Sequence, residues 1–114
     1  MTPEIRAILE STDCVSVQTH HGYLNGIQVI IRFRNGYGAS VINNDMSNGV
    51  ELAVAKFFGP HEDNWDLCYD TPVTSDVLPW LTPESLAQAL QEIADLPAHP
   101  MGDMVSFLSN TPTN

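Results

Sequence analysis

The stretch from Gly26 to Phe57 sets the frame into which the rest of the chain must fit. Gly26-Ile27-Gln28-Val29-Ile30-Ile31-Arg32-Phe33-Arg34 reads as a strand. A period of two sends Ile27, Val29, Ile31 and Phe33 to one face, predicted to meet the core. Gln28, Ile30, Arg32 and Arg34 fall on the other face. Asn35-Gly36 predicts a hairpin with a type I′ turn, since both residues tolerate positive φ. Ala39-Ser40-Val41-Ile42 returns, and a polar connection from Asn43 to Gly49 leads to a third strand, Val50 to Phe57. Val50, Leu52 and Val54 form its core face. Ala53, Ala55 and Phe57 lie opposite and are not polar, so the second sheet face is also predicted to be partly covered.

The flanking segments close over this meander. Thr2-Pro3-Glu4 opens a short helix, with Thr as cap and Pro at the first position. Ile5, Ile8 and Leu9 give it one apolar stripe, and it is predicted to stop near Ser11-Thr12-Asp13. Cys14 to Thr19 reads as a strand with Val15 and Val17 on one face, followed by a connection from His20 to Gly26. Gly59-Pro60 breaks the pattern, His61 to Asn64 is an expected exposed loop, and Asp66 to Tyr69 is a short last strand ended by Asp70-Thr71-Pro72. Thr74 to Leu78 is predicted as one helical turn before Pro79. Leu81-Thr82-Pro83-Glu84 then opens the best helix, capped by Thr82 and stapled by Leu81 against Leu86. Leu86, Leu90 and Ile93 share one face of it, while Glu84, Gln88, Gln91, Glu92 and Asp95 lie on or near the other. Pro97 and Pro100 end it. Met101 to Leu108 reads as a further short helix or packed extension, and 109–114 as a frayed polar tail.

Helix, consecutive strands and helix in this order predict an α+β fold: an antiparallel meander of four to five strands with the C-terminal helix on one face and a short N-terminal helix. The 114 residues are expected to make a single domain, 1–114. The second sheet face needs a cover. A homodimer through that face is one solution; cover by the N-terminal helix or the tail is the favoured one.

Charge narrows the function classes. The formal net charge is −10, and it is unevenly spread. Residues 1–56 carry five acids and four bases, net −1; residues 57–114 carry nine acids and neither Lys nor Arg, net −9. Direct binding to nucleic acid is disfavoured, because a phosphate backbone requires a basic patch. Anionic membranes are disfavoured for the same reason, and no apolar run approaches a bilayer's width. The N-terminal residues lack the basic region and apolar core of a signal peptide, so the expected location is the cytoplasm. Cys14 and Cys68 are too few for a disulfide scaffold or zinc framework and are expected to be free thiols, mostly buried.

Candidate chemistry is thin. Asn35-Gly36-Tyr37-Gly38 lacks the Gly-Lys-Ser/Thr ending of a phosphate loop and precedes a strand. His61, Glu62, Asp63 and Asp66 offer metal-ligand types without the spacing of any dedicated motif. A small metal-dependent hydrolase using this 61–66 loop is therefore the alternative reading. His20 and His21 are neighbours and point to opposite faces if extended. There is no Gly-x-Ser-x-Gly elbow, and thiols in apolar surroundings are poor nucleophiles. Tyr37, Trp65, Tyr69 and Trp80 lack the interleaved Arg and Lys of a base-stacking platform, which leaves packing or a protein-binding role. Enzyme is the weaker class; no catalytic residue, metal or cofactor is assigned.

Phe33-Arg34-Asn35-Gly36-Tyr37-Gly38-Ala39-Ser40-Val41-Ile42, then Glu51-Leu52-Ala53-Val54, then Leu67 to Val77, resembles a group of small accessory proteins of tailed bacteriophages and prophages. The resemblance spans roughly residues 27–96. It implies a phage-derived protein made in the bacterial host cytoplasm. Such small acidic proteins include inhibitors of host nucleases and defence systems, some of them mimics of nucleic acid. The expected function is thus a non-enzymatic binding protein that docks a basic host protein surface on an acidic face. The residues expected there are Glu62, Asp63 and Asp66 in one segment and Glu84, Glu92 and Asp95 on the outer side of the C-terminal helix. A plain solubilising surface is the competing explanation of the same charge.

Overall fold

A computed structural model of the chain describes residues 3–12 and 14–99. The alternation read from the sequence carries through it. Helix α1 (Pro3–Ser11) leads into β1 (Cys14–His21), and a short 3-10 turn at Tyr23–Asn25 precedes β2 (Ile27–Phe33). Strands β3 (Tyr37–Asn43), β4 (Glu51–Phe57) and β5 (Trp65–Leu67) follow, then helix α2 (Pro83–Ala94). The five strands form one antiparallel sheet in the order β1-β2-β3-β4-β5. No helix among the described residues is long and apolar enough to cross a membrane.

The main core lies between the sheet and α2. Pairing sets Ile31 beside Ala39 and Ala39 beside Val54, which aligns their side chains on one face. Leu86, Ala89, Leu90 and Ile93 of α2 meet them there, with Phe33, Leu52 and Cys68. The stripe Ile5, Ile8 and Leu9 of α1 packs against the same cluster. The N-terminal helix therefore does not cover the second sheet face. Its apolar stripe finds more buried area beside α2, where the core is already assembled.

Both ends of α2 are tied by side chains. At its N-terminus Thr82 Oγ1 accepts from Ser85 N at 3.1 Å, and Thr82 N donates to Ser85 Oγ at 2.8 Å, a reciprocal cap. At its C-terminus, Asn35 Nδ2 donates to the carbonyls of Ile93 at 2.8 Å, Ala94 at 3.3 Å and Leu96 at 3.0 Å. Asn35 Oδ1 accepts from Tyr37 N at 3.0 Å. One side chain thus satisfies orphan carbonyls of the helix and shapes the hairpin. The Asn35 backbone carbonyl also accepts from His99 N, and His99 Nε2 lies 3.1 Å from the Gly36 carbonyl. A carbonyl only accepts, so that ring nitrogen carries the proton.

Several expectations change. The hairpin is present, but it is not type I′: only Gly36 takes positive φ, at 87°, and Asn35 does not. The loop has three residues with Gly at the left-handed position, which leaves Asn35 free to reach α2. His20 and His21 are not in a connection but end β1, paired with Gln28 and Ile27. The reversal is compressed into Gly22–Gly26, where Gly22, Leu24 and Asn25 all have positive φ. The last strand is Trp65–Leu67 rather than 66–69, because the Phe58–Asn64 hydrogen bonds close its hairpin one residue earlier. Thr74 to Leu78 forms no helical turn. Thr74 Oγ1 and Asp76 Oδ1 bind the local backbone, and Leu78 instead pairs with Leu52 through bonds of 2.9 and 3.0 Å. Thr2, Asp13, the Met101–Leu108 segment and 109–114, on which other expectations rest, lie outside the described residues.

Candidate binding site

The sheet face turned away from α2 is the feature that packing leaves unused. Gln28 and Ile30 of β2, Ser40 and Ile42 of β3, Ala53 and Ala55 of β4, and Trp65 and Leu67 of β5 share it by alternation. At the end of the sheet where β4 leads into β5 this face is closed. Ile30, Ala55, Phe57 and Trp65 form a small second core. The Arg32 guanidinium stands 5.1 Å from the Phe57 ring centre, and its Nη2 donates to the Gly59 carbonyl at 2.8 Å. Gln18 Nε2 donates to the Glu62 carbonyl at 3.1 Å, so the loop leans across to β1.

Towards the other end the face opens into a groove of about 360 Å³. Ile27, Ile42, Ala53, Trp65, Leu67 and Val77 supply its apolar lining, and His20, Gln28, Ser40 and Glu51 its polar groups. The small side chains Ser40 and Ala53 at its centre make the surface concave. Gln28 Nε2 donates to Ser40 Oγ at 3.1 Å, and Glu51 Oε2 accepts from Asn48 N at 2.8 Å. These polar groups are thus held by the fold rather than aimed jointly at one reacting point. Acids flank part of the lining: Asp45 follows Asn44 and Asp76 precedes Val77, whereas Asp66, between Trp65 and Leu67 on β5, falls by alternation on the opposite face beside Lys56. A second cavity of about 340 Å³ lies on the helix side, lined by Ile5, Thr19, Ile27, Val29, Ile31, Val41, Leu86 and Leu90.

The six acids read from the sequence do not gather on one face. Glu62 and Asp63 sit in the exposed loop, and the Glu62 backbone is anchored on the side away from α2. Asp66 lies on β5 opposite Lys56. Glu84, Glu92 and Asp95 are exposed on α2, across the sheet from that loop. Glu92 accepts from Gln88 at 3.2 Å and Asp95 from Gln91 at 3.0 Å, ordinary pairs four residues apart on a helix. His61 Nδ1 accepts from Asp63 N at 3.2 Å and lies 3.9 Å from the Asp63 carboxylate, a local contact within the exposed loop. Among the described residues no three His, Cys, Asp or Glu side chains come together to hold a metal. The hydrolase alternative therefore has no donor set at the 61–66 loop. The aromatic residues are also dispersed: Tyr37 packs against the main core, Trp65 against the second, and Trp80 is exposed.

Both cysteines are free. Burial pushes the thiol of Cys68 up, as does its hydrogen bond to Asp70 Oδ1 at 2.8 Å; burial likewise raises Cys14. Neither is poised as a nucleophile. A raised pKa favours the protonated thiol in the fold. The stabilisation is full below the unfolded thiol value of about 8.5 and is lost as pH rises through the folded value. The melting temperature is therefore expected to fall above about pH 8.5, and a Cys14→Ala, Cys68→Ala variant is expected to show a shallower fall. Thermal scans from neutral to alkaline pH check this.

No known family, characterised protein or solved structure matches this chain.

Proposed function

We propose that this chain is a non-catalytic binding protein that takes a cationic polypeptide segment bearing apolar side chains into the groove of its open sheet face. The observation that supports this reading is the groove itself: an apolar concavity with no cover among the described residues, lined by Glu51 and flanked by Asp45 and Asp76. Its volume falls in the range of roughly 300–1,000 Å³ typical of binding clefts. Apolar contact supplies affinity, and the acidic surroundings supply steering and discrimination. On this reading the partner is a basic surface of a host protein, the context that a resemblance to phage accessory proteins implies, and the result is inhibition of a host defence or nucleic-acid-handling protein.

The test is capture of proteins from bacterial lysate on the immobilised chain. Capture of basic proteins is expected at 0.1 M salt and its loss at 1 M, as the Debye length falls from about 10 Å to about 3 Å. Ala53→Arg, which puts bulk and positive charge on the groove floor, is expected to abolish capture with far-UV circular dichroism unchanged. Duplex DNA alone is expected not to bind. If capture survives Ala53→Arg but is lost on Glu84→Lys with Glu92→Lys, the working surface is α2 and the groove reading fails.

A further inference from the structure

We infer that two copies of this chain pair edge to edge through β1, continuing the sheet across a two-fold axis. The two edges of the sheet are built differently. The outer edge of β4 is tiled along its length. Beta-strand β5 pairs with residues 55–57, Cys68 N donates to the Val54 carbonyl, Leu78 bridges Leu52, Leu81 N donates to the Val50 carbonyl and Trp80 N to the Asn48 carbonyl. On the other side, β1 pairs with β2 alone, and nothing among the described residues tiles its outer edge.

An edge strand turns the N–H and C=O of alternate residues outward, a template for another strand. Proteins that must stay apart blunt such edges with Lys, Pro or a bulge. Cys14–His21 contains no proline and no Asp, Glu, Lys or Arg. Its register shift falls between Cys14 and Ser16, which leaves Val17 to His21 regular. Val15 and Val17 are 52% and 40% exposed. An uncharged strand is complementary to itself in antiparallel orientation, which is the contact a two-fold axis generates.

The uncharged, self-complementary strand points to a second copy as the occupant, and the charge distribution permits it. A chain of net charge −10 repels itself, but Asp66, Asp70 and Asp76 lie at or beyond β5, four strands from β1. At about 4.8 Å per strand that is roughly 19 Å, about twice the Debye length at physiological ionic strength. Pairing through β1 places the two acidic edges outermost. Glu62 is carried closer, by the bond from Gln18 to its carbonyl, and exposed Glu10 of α1 lies four residues before β1, so these charges oppose pairing at low salt. Dimerisation should therefore tighten as salt rises, opposite in sign to the capture of a basic partner.

Sedimentation equilibrium of the full chain tests this between about 1 and 200 μM, at low and moderate salt. The expected result is a shift from the 12.5 kDa monomer to a dimer of twice that mass, with a dissociation constant that falls on raising salt. Val17→Lys with Thr19→Lys sets like charges next to each other across the new edge and is expected to weaken the dimer at least about tenfold. Hydrogen exchange of the unmodified chain provides a readout that needs no variant: amides of β1 gain protection as concentration rises. A chain that stays monomeric at 200 μM in both salts overturns the inference. So does a dimer that is indifferent to the lysine substitutions, or one whose added protection falls outside β1.

Discussion

Leu90→Ala lowers the stability of the fold by about 2–5 kcal/mol, the range for truncating a fully buried leucine. Leu90 is 0% exposed and belongs to the cluster of Ile31, Phe33, Ala39, Leu52 and Val54 that seals α2 to the sheet. It also borders the cavity of about 340 Å³ between the helices and the sheet. Removing its side chain enlarges that space, which places the cost towards the upper part of that range. A small domain holds about 5–15 kcal/mol in all, so this one change removes a large share. Glu92→Ala, on the exposed side of the same helix, is expected to stay within about 0.5 kcal/mol. Urea denaturation of the two variants checks the pair, and a Leu90→Ala protein as stable as its parent contradicts the packing described.

Asn35→Ala is expected to cost about 1–3 kcal/mol, although it removes no apolar surface. Its Nδ2 serves the carbonyls of Ile93, Ala94 and Leu96, and its Oδ1 serves the amide of Tyr37. Alanine leaves these groups without that partner in a half-buried site. Asn35→Asp keeps the acceptor, loses the donors and adds a negative charge beside the negative end of the helix dipole, so it is expected to cost more than alanine. The order asparagine, alanine, aspartate in melting temperature is the diagnostic. Equal stability of Asn35→Ala and the parent would show that the hairpin does not hold the C-terminus of α2.

The contrast between Leu90 and Asn35 shows what a sequence displays and what it hides. Leu86, Leu90 and Ile93 announce their face by spacing alone, and alternation in Ile27–Phe33 and Val50–Phe57 fixes both faces of the sheet. These patterns are local, and the fold follows them. Asn35 is also read locally, as half of a turn dipeptide, but its role is set by a helix 58 residues away, which no short-range rule contains. The burial of His99 against Tyr37 and Phe58 is long-range in the same way.

The groove was half legible. Ile30, Ala53, Ala55 and Phe57 mark the second face as apolar in sequence. What they do not reveal is that the loop after Phe57 closes one end of it, through Arg32 and Gln18, while α1 packs on the opposite side. The acidic residues misled in a different way. Their number along the chain is evident, but Glu62 and the acids of α2 are separated by the sheet, and proximity in composition is not proximity in space.

The central claim is that the open sheet face binds cationic, apolar-bearing polypeptide, and nuclear magnetic resonance tests it most directly. A synthetic helical peptide of lysine and leucine serves as the probe, titrated into the isotopically labelled chain at 0.1 M and 1 M salt. The account predicts saturable shifts at the amides of Ile27, Ser40, Ala53 and Leu67, weaker at high salt and absent in Ala53→Arg. Shifts confined to α2 around Glu84 and Glu92, or none at millimolar peptide, would contradict it.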